Sequence, residues 1–324
     1  MASKQQLISV VVPCYNEQES IQFTHTRFME VFAKADFDVE MIYINDGSKD
    51  DTLRILKEEI ATQKTERIQT IKVVELSRNF GHQLAVSAGL TCVSGDAIVI
   101  IDADLQDPPE VIFEMVAEWR AGYKIVYGQR SERKGESWFK LFTAKKFYQI
   151  IDYMSEINIP RNTGDFRLVD AIVVELMNKM PEQDRFLRGM FAWMGFKSKA
   201  VQYKRDARIA GESKYPFRKM LKLAVDGILS FSIKPLKLIR VLGFIFLLAA
   251  IAIIGYAVYI RLYTNIWVSG WTFLTILICV SNSLIMLSIS VIGDYVGRIF
   301  IQSKNRPLFI IDEVFEEENK NIEG

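Results

Sequence analysis

The chain has 324 residues, half of them hydrophobic, and its 40 Lys and Arg against 39 Asp and Glu leave a formal charge of +1. Such a balance gives no global field for nucleic acid or another acidic polymer, so any electrostatic attraction must be local. Three widely spaced cysteines, Cys14, Cys92 and Cys279, argue against a disulfide framework or a zinc cluster and suit a reducing compartment.

Residues 1–6 are polar and the apolar run that follows is too short for a secretory signal, so the N-terminal domain is expected in the cytoplasm. Short β-branched runs predict strands over residues 7–13, 39–45, 70–76, 97–101 and 124–128. Helical patterns lie between them, over residues 17–35, 49–63, 83–93 and 109–121, the last opened by Asp107-Pro108-Pro109-Glu110. This alternation is the mark of βα units feeding a mostly parallel sheet, an α/β nucleotide-binding architecture. Gly81 suits a tight turn opening a helix.

The composition then changes. Residues 241–260 carry no ionisable side chain, and after Arg261 a second uncharged run extends over 262–293, each long enough to span a bilayer. Cations crowd both outer flanks, including Lys234, Lys237 and Arg240 before the first run and Arg298, Lys304 and Arg306 after the second. The positive-inside rule therefore predicts a hairpin with both ends cytoplasmic and Trp267 and Trp271 near its far tip. Expected boundaries are a catalytic domain at 1–214, an amphipathic interfacial helix at 215–235, a membrane hairpin at 236–297 (spans near 238–260 and 267–293) and a cytoplasmic tail at 298–324. The acidic stretch 312–323 reads as a solvated or disordered end.

The chemistry gathers where strands end. The apolar run 98–101 leads directly into Asp102-Ala103-Asp104-Leu105-Gln106, placing two carboxylates and an amide at the carboxyl end of a strand, where open α/β sheets bind ligands. Hard oxygen donors of this kind suit Mg²⁺ or Mn²⁺ sharing coordination with substrate phosphates. Two acids in a loop are usually only a solvated turn, but the first strand also ends in Pro13-Cys14-Tyr15-Asn16-Glu17 and the second in Asn45-Asp46-Gly47-Ser48. Three polar turns along one sheet edge point to a site. His25 and His82 show no metal-ligand spacing and read as ordinary side chains.

Together with Thr163-Gly164-Asp165-Phe166-Arg167-Leu168 and Gly211-Glu212-Ser213-Lys214-Tyr215, these segments closely resemble glycosyltransferase family two with its GT-A fold. The resemblance is strongest to polyprenyl-phosphate glycosyltransferases of the bactoprenol glucosyltransferase type, and more distant to dolichol-phosphate mannose synthases. It implies an inverting transfer of one hexose from a nucleotide sugar to undecaprenyl phosphate or a similar lipid. Glucose from UDP-glucose is the first choice, with N-acetylglucosamine, galactose or mannose donors as alternatives. By the same resemblance Pro13, Tyr15, Glu17 and Asp46 would line the nucleoside pocket, with Asp46 accepting from the base. Asp102, Ala103 and Asp104 would meet the nucleotide sugar, and Asp102, Asp104 and Gln106 the metal. Arg208 and Lys214 would contact phosphates, and Arg130 and Arg133 the acceptor phosphate. Asp165 would stand near the reacting sugar, as a base or as a positioning group. A homotetramer in the bacterial cytoplasmic membrane completes what the resemblance implies.

The segment Gln183-Asp184-Arg185-Phe186-Leu187-Arg188-Gly189 departs from the Gln-x-x-Arg-Trp pattern of processive synthases, because Phe186 and Leu187 occupy the Arg and Trp positions. Two spans are also few for a polymer channel. A non-catalytic nucleotide-sugar scaffold would have no need of the complete acidic and basic set.

Overall fold

The computed structural model describes residues 5–130, 160, 163–204, 234–263 and 270–316. The chain divides into two compact units, one of Met1–Phe142, Ile157–Pro216 and Arg306–Gly324, the other of Thr143–Glu156 and Phe217–Asn305.

In the first unit the order begins β1 (Leu7–Cys14), α1 (Ile21–Phe32), β2 (Asp38–Asn45) and α2 (Thr52–Arg54), which widens into a π-helical stretch, Ile55–Ile60. It continues through β3 (Ile68–Leu76), α3 (His82–Thr91), β4 (Ala97–Ile100), α4 (Val111–Arg120) and β5 (Ile125–Arg130). The five expected strands are all present within two residues of their expected ends. β6 (Thr163–Asp170), α5 (Ala171–Lys179), α6 (Leu187–Trp193) and β7 (Ser198–Tyr203) follow. After two long helices of the second unit, α7 (Lys234–Tyr263) and α8 (Trp271–Ser303), the chain returns to the first unit as β8 (Ile311–Glu316).

One sheet of order β7-β5-β6-β4-β1-β2-β3-β8 organises the first unit. The β1–β2, β1–β4, β2–β3 and β5–β7 pairings are parallel. The β4–β6, β5–β6 and β3–β8 pairings are antiparallel. The central strands read as continuous apolar runs because helices cover them, and Val10, Val11, Val12, Ile42, Tyr43, Ile44, Ile98 and Val99 are fully buried. Phe28, Phe32 and Phe37 fill one face of the core.

β8 corrects the expectation of a solvated or disordered acidic tail. Its residues pair with β3 from Lys72↔Glu316 to Leu76↔Ile311, and Phe315 packs against the core. The acids that suggested disorder face cations: Lys57 Nζ bridges Glu75 at 2.8 Å and Glu313 at 2.5 Å, and Glu316 stands opposite Lys72. The rest of the tail, 317–324, lies outside the described residues.

In the second unit, α7 and α8 are apolar and expose Phe244, Leu247, Leu262, Met286, Leu287 and Ile299. Among the described residues one stretch, Val280–Ser303, is long and apolar enough to cross a membrane, with a mean hydropathy of 1.8 and none of that window buried. α8 runs ten residues beyond the expected end of the second span, to Ser303. Nearly all of the expected interfacial helix at 215–235, and Trp267 at the expected tip, lie outside the described residues.

Candidate active site

Strand direction brings the polar segments to one edge. β1, β2 and β4 end there; β6 runs antiparallel to β4, so its first residues share that edge, as do the ends of β5 and β7. The last β4–β6 pair is Ile100 with Arg167, and just beyond it His82 Nε2 reaches both Asp102 and Asp165.

The loops after β1 and β2 are laced together. The Asn16 N–H donates to Ser48 Oγ (3.0 Å), the Lys49 N–H to Asn16 Oδ1 (2.8 Å) and the Glu17 N–H to Thr52 Oγ1 (2.8 Å). Asn16 takes φ 55°, a conformation asparagine tolerates better than most residues. Gly47 is required twice over: its φ is +62°, and a Cβ would stand 2.5 Å from the backbone of Arg78 and Asn79. That close approach carries the β3–α3 loop to Asp46, whose carboxylate accepts from the Phe80 N–H (2.7 Å) and the Gly81 N–H (2.9 Å). Asp46 is thus a buried brace of the loop, its pKa raised by burial against the opposing pull of those two bonds. Gly81, at φ +96°, opens α3 as its sequence context suggests. Beside this frame Tyr15 is exposed, Pro13 and Glu17 are half-buried, and Glu17 accepts from Ser20 Oγ at 2.6 Å.

Asp102 and Asp104 are both half-buried just beyond β4. The Thr24 hydroxyl of α1 donates to the Ala103 carbonyl (2.7 Å), and Asp104 Oδ1 accepts from the Gln106 N–H (3.1 Å), so the turn is held from outside and within. Burial pushes Asp102 up to about 6; His82 opposes this, while Asp165, Asp104 and Asp107 add like charge.

Asp165 is held from several directions. Arg188, in the first turn of α6, grips it with Nε on Oδ1 (2.8 Å) and Nη2 on Oδ2 (3.1 Å). His82 Nε2 stands 3.2 Å from Asp165 Oδ2 and 3.7 Å from Asp102 Oδ1. Gln83 Nε2 lies 3.4 Å from the same Asp165 oxygen, while Gln83 Oε1 accepts the Leu187 N–H. Burial raises the Asp165 pKa, but His82 and Arg188 more than reverse this and hold it well below the ordinary value. Behind it, buried Arg167 donates to the carbonyls of Asp165 and Gly164 and lies over the Phe191 ring; burial lowers its pKa to about 10.

The structure thus joins Asp102 and Asp165 at His82, with Asp104 in the same turn as Asp102, and it revises the reading of His82 but not that of His25. His82 is part of the acidic centre, not an ordinary side chain, and burial lowers its pKa less than Asp165 and Asp102 raise it. His25 is buried on α1 with Nδ1 2.7 Å from the Tyr43 hydroxyl, and burial lowers its pKa to about 4. Arg188 carried no sequence signal beyond the segment in which the synthase pattern fails. Its partner is 23 positions away and His82 is 83 positions from Asp165, so local spacing could not reveal either contact. Arg130 ends β5 beside Tyr203 and Asp107. Arg133, Arg208 and Lys214 lie outside the described residues.

The Glycosyl transferase family 2 profile matches residues 9–176. An uncharacterized glycosyltransferase of Bacillus subtilis, YkcC, is 44% identical over 97% of this chain and 96% of its own. The chain belongs to glycosyltransferase family 2. Within the family, the bactoprenol glucosyl transferase of Shigella phage SfV is 38% identical over 94% of this chain and 97% of its own. A prophage bactoprenol glucosyl transferase homolog of Escherichia coli is also 38% identical, over 95% of this chain and 99% of its own. Among solved structures, glucosyl-3-phosphoglycerate synthase of Mycobacterium tuberculosis aligns at 19% identity over 69% of this chain and 78% of that one, with a TM-score of 0.43. The matched family 2 profile ends inside α5, whereas the match to YkcC, at 97% of this chain, also takes in α7 and α8.

No three His, Cys, Asp or Glu side chains form a ready metal cage among the described residues. Two carboxylates and an amide oxygen fit a hard dication that completes its shell with substrate phosphate and water. The accumulation of like charge around Asp102 fits the same occupant.

Proposed function

We propose that the chain transfers a single glucose from UDP-glucose to undecaprenyl phosphate or a similar polyprenyl phosphate, with inversion, making a lipid-linked sugar for cell-envelope glycosylation. The observation that carries this reading is the meeting of Asp102 and Asp165 at His82, in a chain alike over nearly its whole length to bactoprenol glucosyl transferases. On this reading an acceptor phosphate oxygen forms a bond to the anomeric carbon while the bond from that carbon to UDP breaks. The products are UDP and a polyprenyl phosphoglucose.

Pro13, Tyr15, Glu17 and Asp46 frame the nucleoside side, and Arg130, with Arg133, takes the acceptor phosphate. Arg208 and Lys214 serve the diphosphate. Asp102, Asp104 and Gln106 would hold Mg²⁺ or Mn²⁺, which when bound supplies positive charge to the departing diphosphate. A phosphate monoester has a second pKa near 6 and is largely dianionic at neutral pH, so the nucleophile needs little help from a base. Asp165 has both oxygens engaged by Arg188, His82 and Gln83. A carboxylate so engaged is suited to orienting the sugar and stabilising positive charge at the anomeric carbon.

The apolar exposure of α7 and α8 supports contact with a membrane, the flanking cations Lys234, Lys237, Arg298, Lys304 and Arg306 favour a hairpin with both ends cytoplasmic, and the family resemblance favours a homotetramer. Membranes bearing the full chain, given divalent metal, undecaprenyl phosphate and a panel of labelled nucleotide sugars, should release UDP and form a monosaccharide phospholipid from UDP-glucose. A different preferred sugar would overturn the glucose assignment, a polymeric product would overturn single transfer, and binding without turnover would overturn catalysis.

A further inference from the structure

Arg130 is the last residue of β5, and the parallel register sets it beside Tyr203, the last residue of β7. Its Nε–H donates to the Tyr203 hydroxyl oxygen at 3.2 Å, and that hydroxyl donates to Asp107 Oδ1. Arg130 Nη2 lies 3.5 Å from Asp107 Oδ2. Asp107 and Tyr203 are 1% and 5% exposed, whereas the Arg130 side chain keeps 30% of its surface. Two glycines make room for the group. A Cβ at Gly164 would meet Arg130 Nη2 at 2.6 Å, and one at Gly128 would meet the Tyr203 ring at 2.8 Å.

A flexible arginine on a strand end ordinarily samples many rotamers, and holding one costs side-chain entropy. Here a buried tyrosine and a buried carboxylate meet that cost before any ligand arrives. A guanidinium carries five N–H donors in a fixed fork, so these two contacts leave donors directed elsewhere. Asp107 also belongs to the turn that carries Asp102, Asp104 and Gln106, and its charge is felt at Asp102. The carboxylates on the donor side and the arginine on the acceptor side are therefore braced by one short loop.

We propose that Tyr203 and Asp107 are positioning residues that aim the Arg130 guanidinium at the acceptor phosphate. This rests on the reading of Arg130 as the acceptor-phosphate residue. The brace is not spent on the fold alone: it fixes the direction of a half-exposed cation, and its loss falls on one substrate.

The test is steady-state kinetics of the full chain in membranes, varying undecaprenyl phosphate and UDP-glucose separately, for Tyr203→Phe, Asp107→Asn, Arg130→Lys and the Tyr203→Phe/Arg130→Lys double variant. Tyr203→Phe keeps the ring and removes only the hydroxyl. It should raise the acceptor KM about tenfold, the scale of one hydrogen bond to a charged group, and leave the donor KM within about twofold. In the Arg130→Lys background, where no fork remains to be aimed, the same change should have little further effect. If Tyr203→Phe fails to fold, Asp107→Asn should raise the acceptor KM likewise and lose that effect in the Arg130→Lys background, its donor KM being set aside because Asp107 also acts on Asp102. Equal rises in both KM values, or full additivity in the double variant, would overturn the positioning role. An unchanged acceptor KM in Arg130→Lys would instead overturn the assignment of Arg130 itself, and an effect of Arg130→Lys with none from Tyr203→Phe or Asp107→Asn would overturn only the brace.

Discussion

Glu40 and Asp102 stand at opposite ends of the same sheet and show two fates of a carboxylate withdrawn from water. Glu40, near the start of β2, accepts from Lys72 Nζ (2.7 Å), the Ser94 N–H (2.9 Å), Ser94 Oγ (2.6 Å) and Ser9 Oγ. Burial raises its pKa, yet these bonds outweigh it and the net shift is downward. Asp102, beyond the end of β4, is pushed up to about 6 first by burial, with one imidazole opposing the rise and three other carboxylates adding to it. At Glu40 a charge answered by the protein ties β2 to β1, β3 and the loop before β4. Asp102 is left among like charges at the edge proposed above as the donor site, and shifts of this kind recur at functional sites.

The contrast can be broken first at the unanswered end. Asp104→Ala should lower turnover by at least about a hundredfold, comparable with removing a principal electrostatic contact in other active sites, while Tm falls by no more than the loss of its bond to the Gln106 N–H accounts for. Glucosyl transfer measured beside a thermal melt checks both halves, and an active variant would remove Asp104 from the metal site. At the answered end the pattern should invert. Lys72→Met strands Glu40 without its cation and should cost about 3 kcal/mol of stability by denaturant unfolding, with turnover per folded molecule unchanged.

Gly47→Ala tests the frame between these ends. Its positive φ alone costs about 1–2 kcal/mol, and the clash with the Arg78 backbone adds to that. Because the same approach seats Asp46 on the Phe80 and Gly81 amides, the variant should also raise the donor KM. The smallest effect concerns acid. The folded-state pKa of Glu40 lies below its unfolded value near 4.3, so its contribution is present above that value and is lost as pH falls through the folded one. Glu40→Gln should therefore flatten the acid limb of stability below about pH 4.3, and an unchanged limb would show that Glu40 does not titrate there.

What the sequence made legible follows the range of each contact. β1 to β5 declare themselves through local β-branched runs, and the turns at Asn16, Gly47 and Gly81 through residues suited to positive φ. β6 was visible as the motif around Asp165 but not as a strand, since Gly164, Asp165 and Arg167 interrupt any apolar run. His82 and Arg188 were illegible as site residues because only the sheet and α6 bring them to Asp165. β8 was hidden by its own acids, whose partners Lys57 and Lys72 lie more than two hundred positions earlier.

That last strand has a consequence for life in a crowded cell. Without it β3 would end the sheet as an apolar strand with an open row of amides and carbonyls, a template on which another chain can add. β8 closes that template and replaces it with a six-residue edge exposing Asp312, Glu313 and Glu316, short and charged. The tail that follows the apolar helices thereby guards the enzyme against growing, strand upon strand, into its neighbours.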